Sequence, residues 1–381
     1  MLTSFFRWPL FRPCLPGLLA AIAELCPALA GDPAPAAGRP LQILVGGDVT
    51  LGYHLDEYFD ELRARGDTSE AEMTRYPFRR IRSRTRAADL FWINLEGTLT
   101  AHGDAVEKNY NFRADPGAVN VLVDAGVDVA CLANNHAFDF GVAGVVETRA
   151  TLDAAGIGAY GAGRDLAEAR RPLILSRHDR TFGFIGYVWL GALTSEPEEM
   201  FATATTAGVA GTRGQIDRLA RWVDEDVRAL ARSVDTVLVS FHWGREATHL
   251  VLPGQRRLAQ VAARAGAHLV VGHHPHALQG FERFGETFVA YSLGNLMFAG
   301  NWNPTFKDAA LLEVLVPRTG RGLADTRFLP IGVDSLPGAP FQPWFRTGAD
   351  ADRVLADLDC FSHATTEDAC APATPTATGD D

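Results

Sequence analysis

The chain has 381 residues, with 46 acidic against 35 basic side chains for a formal net charge of −11, and 37 glycines. Such a composition is globular and long enough to bury a large core, which excludes a disordered, fibrous or collagen-like chain. The acidic balance excludes a general nucleic-acid or anionic-membrane surface; a polyanionic partner would need a local basic patch.

Residues 1–30, MLTSFFRWPLFRPCLPGLLAAIAELCPALA, carry Arg7 and Arg12, then an apolar stretch, then Ala28-Leu29-Ala30 as a small-x-small cleavage signal. This reads as a signal peptide, with a mature chain that begins at Gly31 and works in the periplasm or is secreted. Glu24, Pro16 and Pro27 interrupt the apolar stretch, so the alternative is an uncleaved N-terminal membrane anchor, for which the segment is short. Short apolar runs then predict strands near 42–46, 89–93, 127–132, 236–241, 267–271 and 287–292. Helical spacing predicts helices at about 142–155, 215–232 and 254–265, the first and last closed by Gly156 and Gly266. The alternation is that of an α/β fold with one domain over 40–345 and no internal repeat.

The C-terminal tail, 346–381, ends in the polar, Thr/Ala/Pro-rich stretch FSHATTEDACAPATPTATGDD and is expected to be partly disordered. Cys360 and Cys370 near its end could pair in an oxidising compartment, whereas Cys131, in the apolar run VDVACLA, reads as an inert core thiol.

The residues just past the strands carry the chemistry. Asp48 stands after the first run, Glu96 after the second (NLEG), and Asn135, His136 and Asp139 after the third (ANNHAFDFG); His242 stands after the fourth (HWGRE) and His273, His274 and His276 after the fifth (GHHPH). Ligands bind beyond the carboxyl ends of strands in α/β sheets, so polar residues delivered there by five strands can converge. The set is a mixture of nitrogen and oxygen donors suited to divalent transition metals. The five arginines of RRIRSRTR at 79–86 could dock phosphate or a polycarboxylate, but a solvated helix flank is the plainer reading.

The motifs GGDVTLG, NLEGTLT, CLANNHAFDFGVAG, GAGRDLAEA, SFHWGRE, GHHPHALQG and YSLGNLMF resemble, in order, those of the CapA-type capsule-synthesis and poly-γ-glutamate family, a branch of the calcineurin-like metallophosphoesterase superfamily. The resemblance spans about 41–335. It implies a four-layer α-β-β-α sandwich of the metallophosphatase type with one or two divalent metal ions (Mn, Zn or Fe) at the strand ends. On it, Asp48 binds the first metal, Glu96 bridges, Asn135 and His242 bind the second, and His274 and His276 give one imidazole to each. His136 becomes a general acid that binds no metal, with Asp139 orienting its ring, and Lys108 and Arg113 in EKNYNFRAD become substrate contacts. Asn295 in SLGN is expected to be structural or to support a ligand. One departure stands out: the superfamily places a histidine two residues after the first Asp, and this chain has Thr50.

The function implied is that of an extracytoplasmic metal-dependent hydrolase, directed at a phosphoester or an amide, in synthesis, release or trimming of an anionic cell-surface polymer such as poly-γ-glutamate. Metal-assisted proton transfer (epimerisation) at a peptide α-carbon would use the same residues. A third reading is a non-catalytic assembly factor of a membrane-bound capsule synthase.

Overall fold

All six apolar runs form strands, and the Val, Ile, Leu and Phe side chains of the two central ones, Ile43, Val45, Val237 and Val239 among them, are fully withdrawn from water. The computed structural model describes residues 38–370 apart from 67, 193 and 335–337; the signal peptide expected at 1–30 and the last part of the tail lie outside the described residues. Among the described residues no helix is long and apolar enough to cross a membrane.

Strand Leu41–Thr50 occupies the middle of an eight-stranded sheet. It runs parallel to Leu90–Leu95, which is followed outward by Val129–Cys131 and Gly158–Tyr160. On the other side the sheet turns antiparallel, through Asp308–Val316 and Asp325–Gly332 to Trp344–Phe345. The second sheet, of seven strands, carries Arg180–Leu190, Thr236–Trp243, Leu269–His273 and Thr287–Leu293 in parallel, with antiparallel Leu278–Phe284 at one edge. The chain crosses between sheets at Gly294: Leu293 ends a strand of the second and Asn295 begins a short strand of the first, Asn295–Phe298, beside Leu41–Thr50.

The sheets face each other. Trp92 meets Phe184 edge to face at 5.4 Å, and Cys131 Sγ and Tyr160 OH lie 3.1 and 3.0 Å from Ser240 Oγ. Cys131 is a buried free thiol, as its apolar surroundings suggest. Helices Ile216–Ala231 and Pro253–Ala265 cover the outer face of the second sheet, where Leu219, Val223, Leu258 and Ala262 pack with Val237, Phe241 and Val270. Each such aliphatic side chain contributes roughly 1.5–3 kcal/mol by leaving water. Helices Val119–Ala125 and Gly141–Ala154 pack with the first sheet through Leu122, Val145 and Leu152. The fold is therefore a four-layer α-β-β-α sandwich.

The arginines of 79–86 serve the fold. Arg82 pairs with Asp124 at 2.7 Å, Arg84 with Glu313, and Arg80 donates to Gln342 at 3.1 Å. Part of the tail is helical: Gly348–His363 buries Val354, Leu358 and Phe361 in an apolar cluster with Leu278 and Ala310, one from each sheet. Cys360 and Cys370 are disulfide-bonded at a separation of 10 residues, holding the short turn Glu367–Cys370 onto that helix. A cross-link closing so short a loop typically stabilises by about 2–3 kcal/mol. Cys360→Ser with Cys370→Ser should lower the unfolding free energy measured in urea by that amount while leaving other secondary structure intact; an unchanged midpoint would show that the bond constrains nothing.

Candidate metal centre

Strand geometry explains why the polar residues meet. Val45 pairs with Trp92 but Asp48 with Asn94, so the first strand gains one residue over its neighbour. Such a bulge re-aims the side chain beyond it, here Asp48. Gly47 makes the bulge possible: a Cβ there would lie 1.9 Å from the carbonyl oxygen of Gly294, to which the Asp48 N–H donates at 3.1 Å. Gly272 does the same for the histidine turn, since a Cβ would lie 1.9 Å from Tyr291 O. The first sheet thus presents Asp48, Glu96 and Asn135, and the second His242, His274 and His276, across the seam between them.

Glu96 is the centre of the group. It is fully buried, and neither carboxylate oxygen has a hydrogen-bond partner. Its Oε1 lies 3.6 Å from His276 Nε2, 3.8 Å from His242 Nε2 and 3.9 Å from His136 Nε2. Asp48 is equally buried; Asn94 donates to its Oδ1 at 2.8 Å, the His274 N–H to its Oδ2 at 3.2 Å, and His276 Nδ1 stands 3.4 Å from Oδ2. One ligand atom from each of Asp48, Glu96 and His276 falls within 4.8 Å of the others. His273 turns towards Asp48, its Nδ1 3.1 Å from Oδ1, and Asn295 Oδ1 lies 2.9 Å from His276 Nδ1, a supporting contact as its motif suggested. Thr50 does not replace the missing histidine, because its hydroxyl donates to the Glu96 carbonyl at 2.8 Å. His54 begins the helix His54–Arg65 and pairs with Glu57.

The second half of the group joins His242 Nε2 to Asn135 Oδ1 at 2.7 Å, with the His242 and His274 rings 4.6 Å apart. His136 Nδ1 lies 2.8 Å from Asp139 Oδ2, and Phe112 covers one face of the ring at 4.3 Å. Lys108 departs from the substrate contact suggested by its motif. Its ammonium is buried, 2.6 Å from Asp139 Oδ1, 2.8 Å from Glu196 Oε2 and 3.0 Å from the Asn135 carbonyl, so it braces the site from behind. Arg113 is exposed and lies over the ring of Phe140, the residue after Asp139, 4.3 Å from its centroid. Trp243 is a packing wall, stacked on Phe241 and donating to Tyr291 O. His249 is half-buried, stacked on Phe361.

Residues essential to this geometry lie outside the expected set. Glu196 Oε1 accepts from Asn135 Nδ2 at 3.0 Å, which fixes the amide with its oxygen towards His242. Asn94 and Asn134 form a buried pair that positions Asp48 and, through Asn134 Oδ1, the His136 N–H. Glu196 lies on a connecting loop 61 residues from Asn135 in sequence, and only the tertiary contact reveals it.

The electrostatics test whether metal suits the site. Burial pushes the Glu96 carboxyl well above the usual carboxylate range. Burial pushes Asp48 the same way, but the hydrogen bonds and charge of His273 and His276 outweigh it and leave that carboxyl well below its usual range. Burial lowers His242 far below its ordinary value and His274 to about 4, so both stand neutral, the form that ligates metal. Burial also opposes charge on His276, but Glu96 and Asp48 beside it raise that imidazole to about 10. A proton on His276 occupies the place where positive charge is wanted. Orphaned buried carboxylate oxygens, neutral imidazoles and a positive charge confined between two acids fit a divalent cation.

Comparison with known proteins places the chain in a family. Residues 42–300 match the model of the family described as bacterial capsule synthesis protein PGA_cap. The chain is 26% identical over 329 residues to the capsule biosynthesis protein CapA of Bacillus anthracis, covering 84% of this chain and 72% of that protein. It is 32% identical over 292 residues to a probable polyglutamine synthesis accessory protein of Mycobacterium tuberculosis, covering 68% and 76%. Among solved structures, a phosphatase from Mycoplasma pneumoniae aligns at a TM-score of 0.42 and 13% identity over 77% of this chain and 94% of that one. The family match spans most of the chain and includes every candidate ligand, and on that ground this protein belongs to the bacterial capsule synthesis (PGA_cap) family.

Proposed function

We propose that the chain is an extracytoplasmic, metal-dependent hydrolase-like enzyme that acts on an anionic glutamyl polymer during its synthesis, release or trimming. The observation that carries the reading is Glu96, a buried carboxylate without a hydrogen bond at the meeting point of three imidazoles. The relatives' names, which speak of capsule and polyglutamine synthesis, and the motif resemblance to the poly-γ-glutamate family support the polymer class, and the signal peptide expected at 1–30 supports the compartment.

Divalent cations held by Asp48, Glu96, Asn135, His242, His274 and His276 would supply Lewis acidity at the scissile group. Nitrogen and carboxylate donors of this kind suit Mn, Zn or Fe. The protein's own contribution is the proton. Asp139 accepts from His136 Nδ1–H and fixes the tautomer, which leaves the Nε2 lone pair turned to the site; burial holds this imidazole below its ordinary pKa, so Nε2 first takes up a proton from the attacking water and then passes it to the leaving group. Lys108 holds the other oxygen of Asp139 and keeps that carboxylate from turning away, while Phe112 closes one side of the imidazole to water. The bond opened is a phosphoester or an amide, and turnover of phosphodiester, γ-glutamyl polymer and peptide panels by the metal-loaded protein distinguishes them. Racemisation of a peptide without hydrolysis would point instead to epimerisation.

One of the relatives is named an accessory protein, which favours a second reading in which the chain assists a membrane-bound synthase without catalysis. Full metal loading without turnover on any of the panels would select it.

The two histidines separate the roles. His242→Ala should lower metal content and thermal stability, because a ligand's binding energy is folding energy. His136→Ala should retain metal and melting temperature yet lose about 10²–10⁴-fold in turnover, the usual share of a general acid. Loss of metal in His136→Ala, or undiminished activity, would remove His136 from the mechanism.

Export is tested separately. After expression of the full chain in a bacterial host, N-terminal sequencing of the extracytoplasmic fraction should read from Gly31. A cytoplasmic protein that retains Met1 would overturn the compartment and leave the centre untouched.

A further inference from the structure

The centre has a carboxylate on its solvent side that the proposed ligand set does not use. Glu246 comes three residues after strand Thr236–Trp243 and is exposed, yet one of its carboxylate oxygens and a ring nitrogen each from His274 and His276 lie within 4.8 Å of one another. This is a second grouping with ligand spacing, sharing His276 with the Asp48 and Glu96 group.

Its position is not an accident of a loose loop. The N–H of Ala247 donates to Pro275 O at 2.9 Å, and Pro275 is the residue between the two histidines. The backbone therefore ties Glu246 to the turn that carries His274 and His276. On both sides of that hydrogen bond non-glycine residues take left-handed conformations: Ala247 at φ 55°, His274 at φ 95° and His276 at φ 53°. Residues persist in such conformations only where surrounding structure imposes them, commonly at functional sites. His274 Nδ1 is buried and has no hydrogen-bond partner, so this imidazole has an unmet demand of its own. Thr50, which occupies the superfamily's histidine position, is turned to the Glu96 carbonyl and offers the centre nothing.

On the reading that this is a metal centre, we propose that Glu246 is a ligand to it, closing with His274 and His276 the coordination of a divalent cation on the open side. The centre then draws ligands from both ends of the HWGRE segment, His242 from inside and Glu246 from outside. An exposed carboxylate can also swing away, which would make Glu246 the ligand that yields to an incoming substrate oxygen.

The test uses the full mature chain, metal-stripped and titrated with Mn(II) by calorimetry and with Co(II) by visible absorption. Wild type should bind two ions in unequal steps. Glu246→Gln and Glu246→Ala should weaken one step by at least about tenfold and change the Co(II) bands, since even supporting residues typically cost about 10–100-fold in metal affinity. The melting temperature of the metal-free protein should not move, because the side chain is exposed. If both variants bind both ions as wild type does, with the same Co(II) spectrum, Glu246 is not a ligand while the centre stands. If wild type binds neither Mn(II) nor Co(II), the metal reading falls and the proposal with it.

Discussion

A carboxylate withdrawn from water and offered no hydrogen bond is tolerated only if it is neutralised, and the cost of leaving it charged and alone runs to several kcal/mol. Glu96 is in that position, with both oxygens buried and unpaired. Much of the surrounding structure is the arrangement that makes such a residue admissible. Three imidazoles approach it from elements distant in sequence, and a bulge, two glycines and a turn with left-handed residues set the distances. These devices are local departures from ideal strand geometry that converge on the candidate site.

Behind the ligands lies a second arrangement of charge. Lys108 sits between Asp139 and Glu196, and those acids in turn hold His136 and the Asn135 amide. An ammonium between two carboxylates offsets part of their charge and fixes the orientation of two neighbouring side chains at once. Asn135 differs from histidine or aspartate as a ligand in that either end of its amide could face the centre. Glu196 removes that ambiguity by accepting from the nitrogen.

The strands and their terminal polar residues are legible in the sequence because one physical rule governs both: a buried parallel strand is a continuous apolar run, and its carboxyl end is where a functional residue can stand. Asp48, Glu96, Asn135, His242, His274 and His276 are all found in this way. The antiparallel strands Asp308–Val316 and Asp325–Gly332 are not, since LLEVLV mixes a charge into its run and Glu313 is buried only because Arg84 and Arg327 meet it. Lys108 is misleading for the same reason: a lysine beside a binding motif looks like a substrate contact until the acids that surround it in space are known. Glu196 and Glu246 belong to loops, where no periodicity marks a residue and only contact shows what it does.

The division of the candidate ligands between the sheets bears on how the molecule is made. Asp48, Glu96 and Asn135 belong to the first sheet and the three histidine ligands to the second, while Asp308–Val316, the antiparallel neighbour of Leu41–Thr50, comes later than all of them in the chain. A nascent polypeptide that has reached residue 230 holds the carboxylates and the amide of the candidate set but none of its three imidazoles. Until the seam at Gly294 has formed, the carboxylates and amide of the first sheet cannot meet the imidazoles of the second. The full candidate set is thus assembled only late in folding, once both sheets have been completed and brought together.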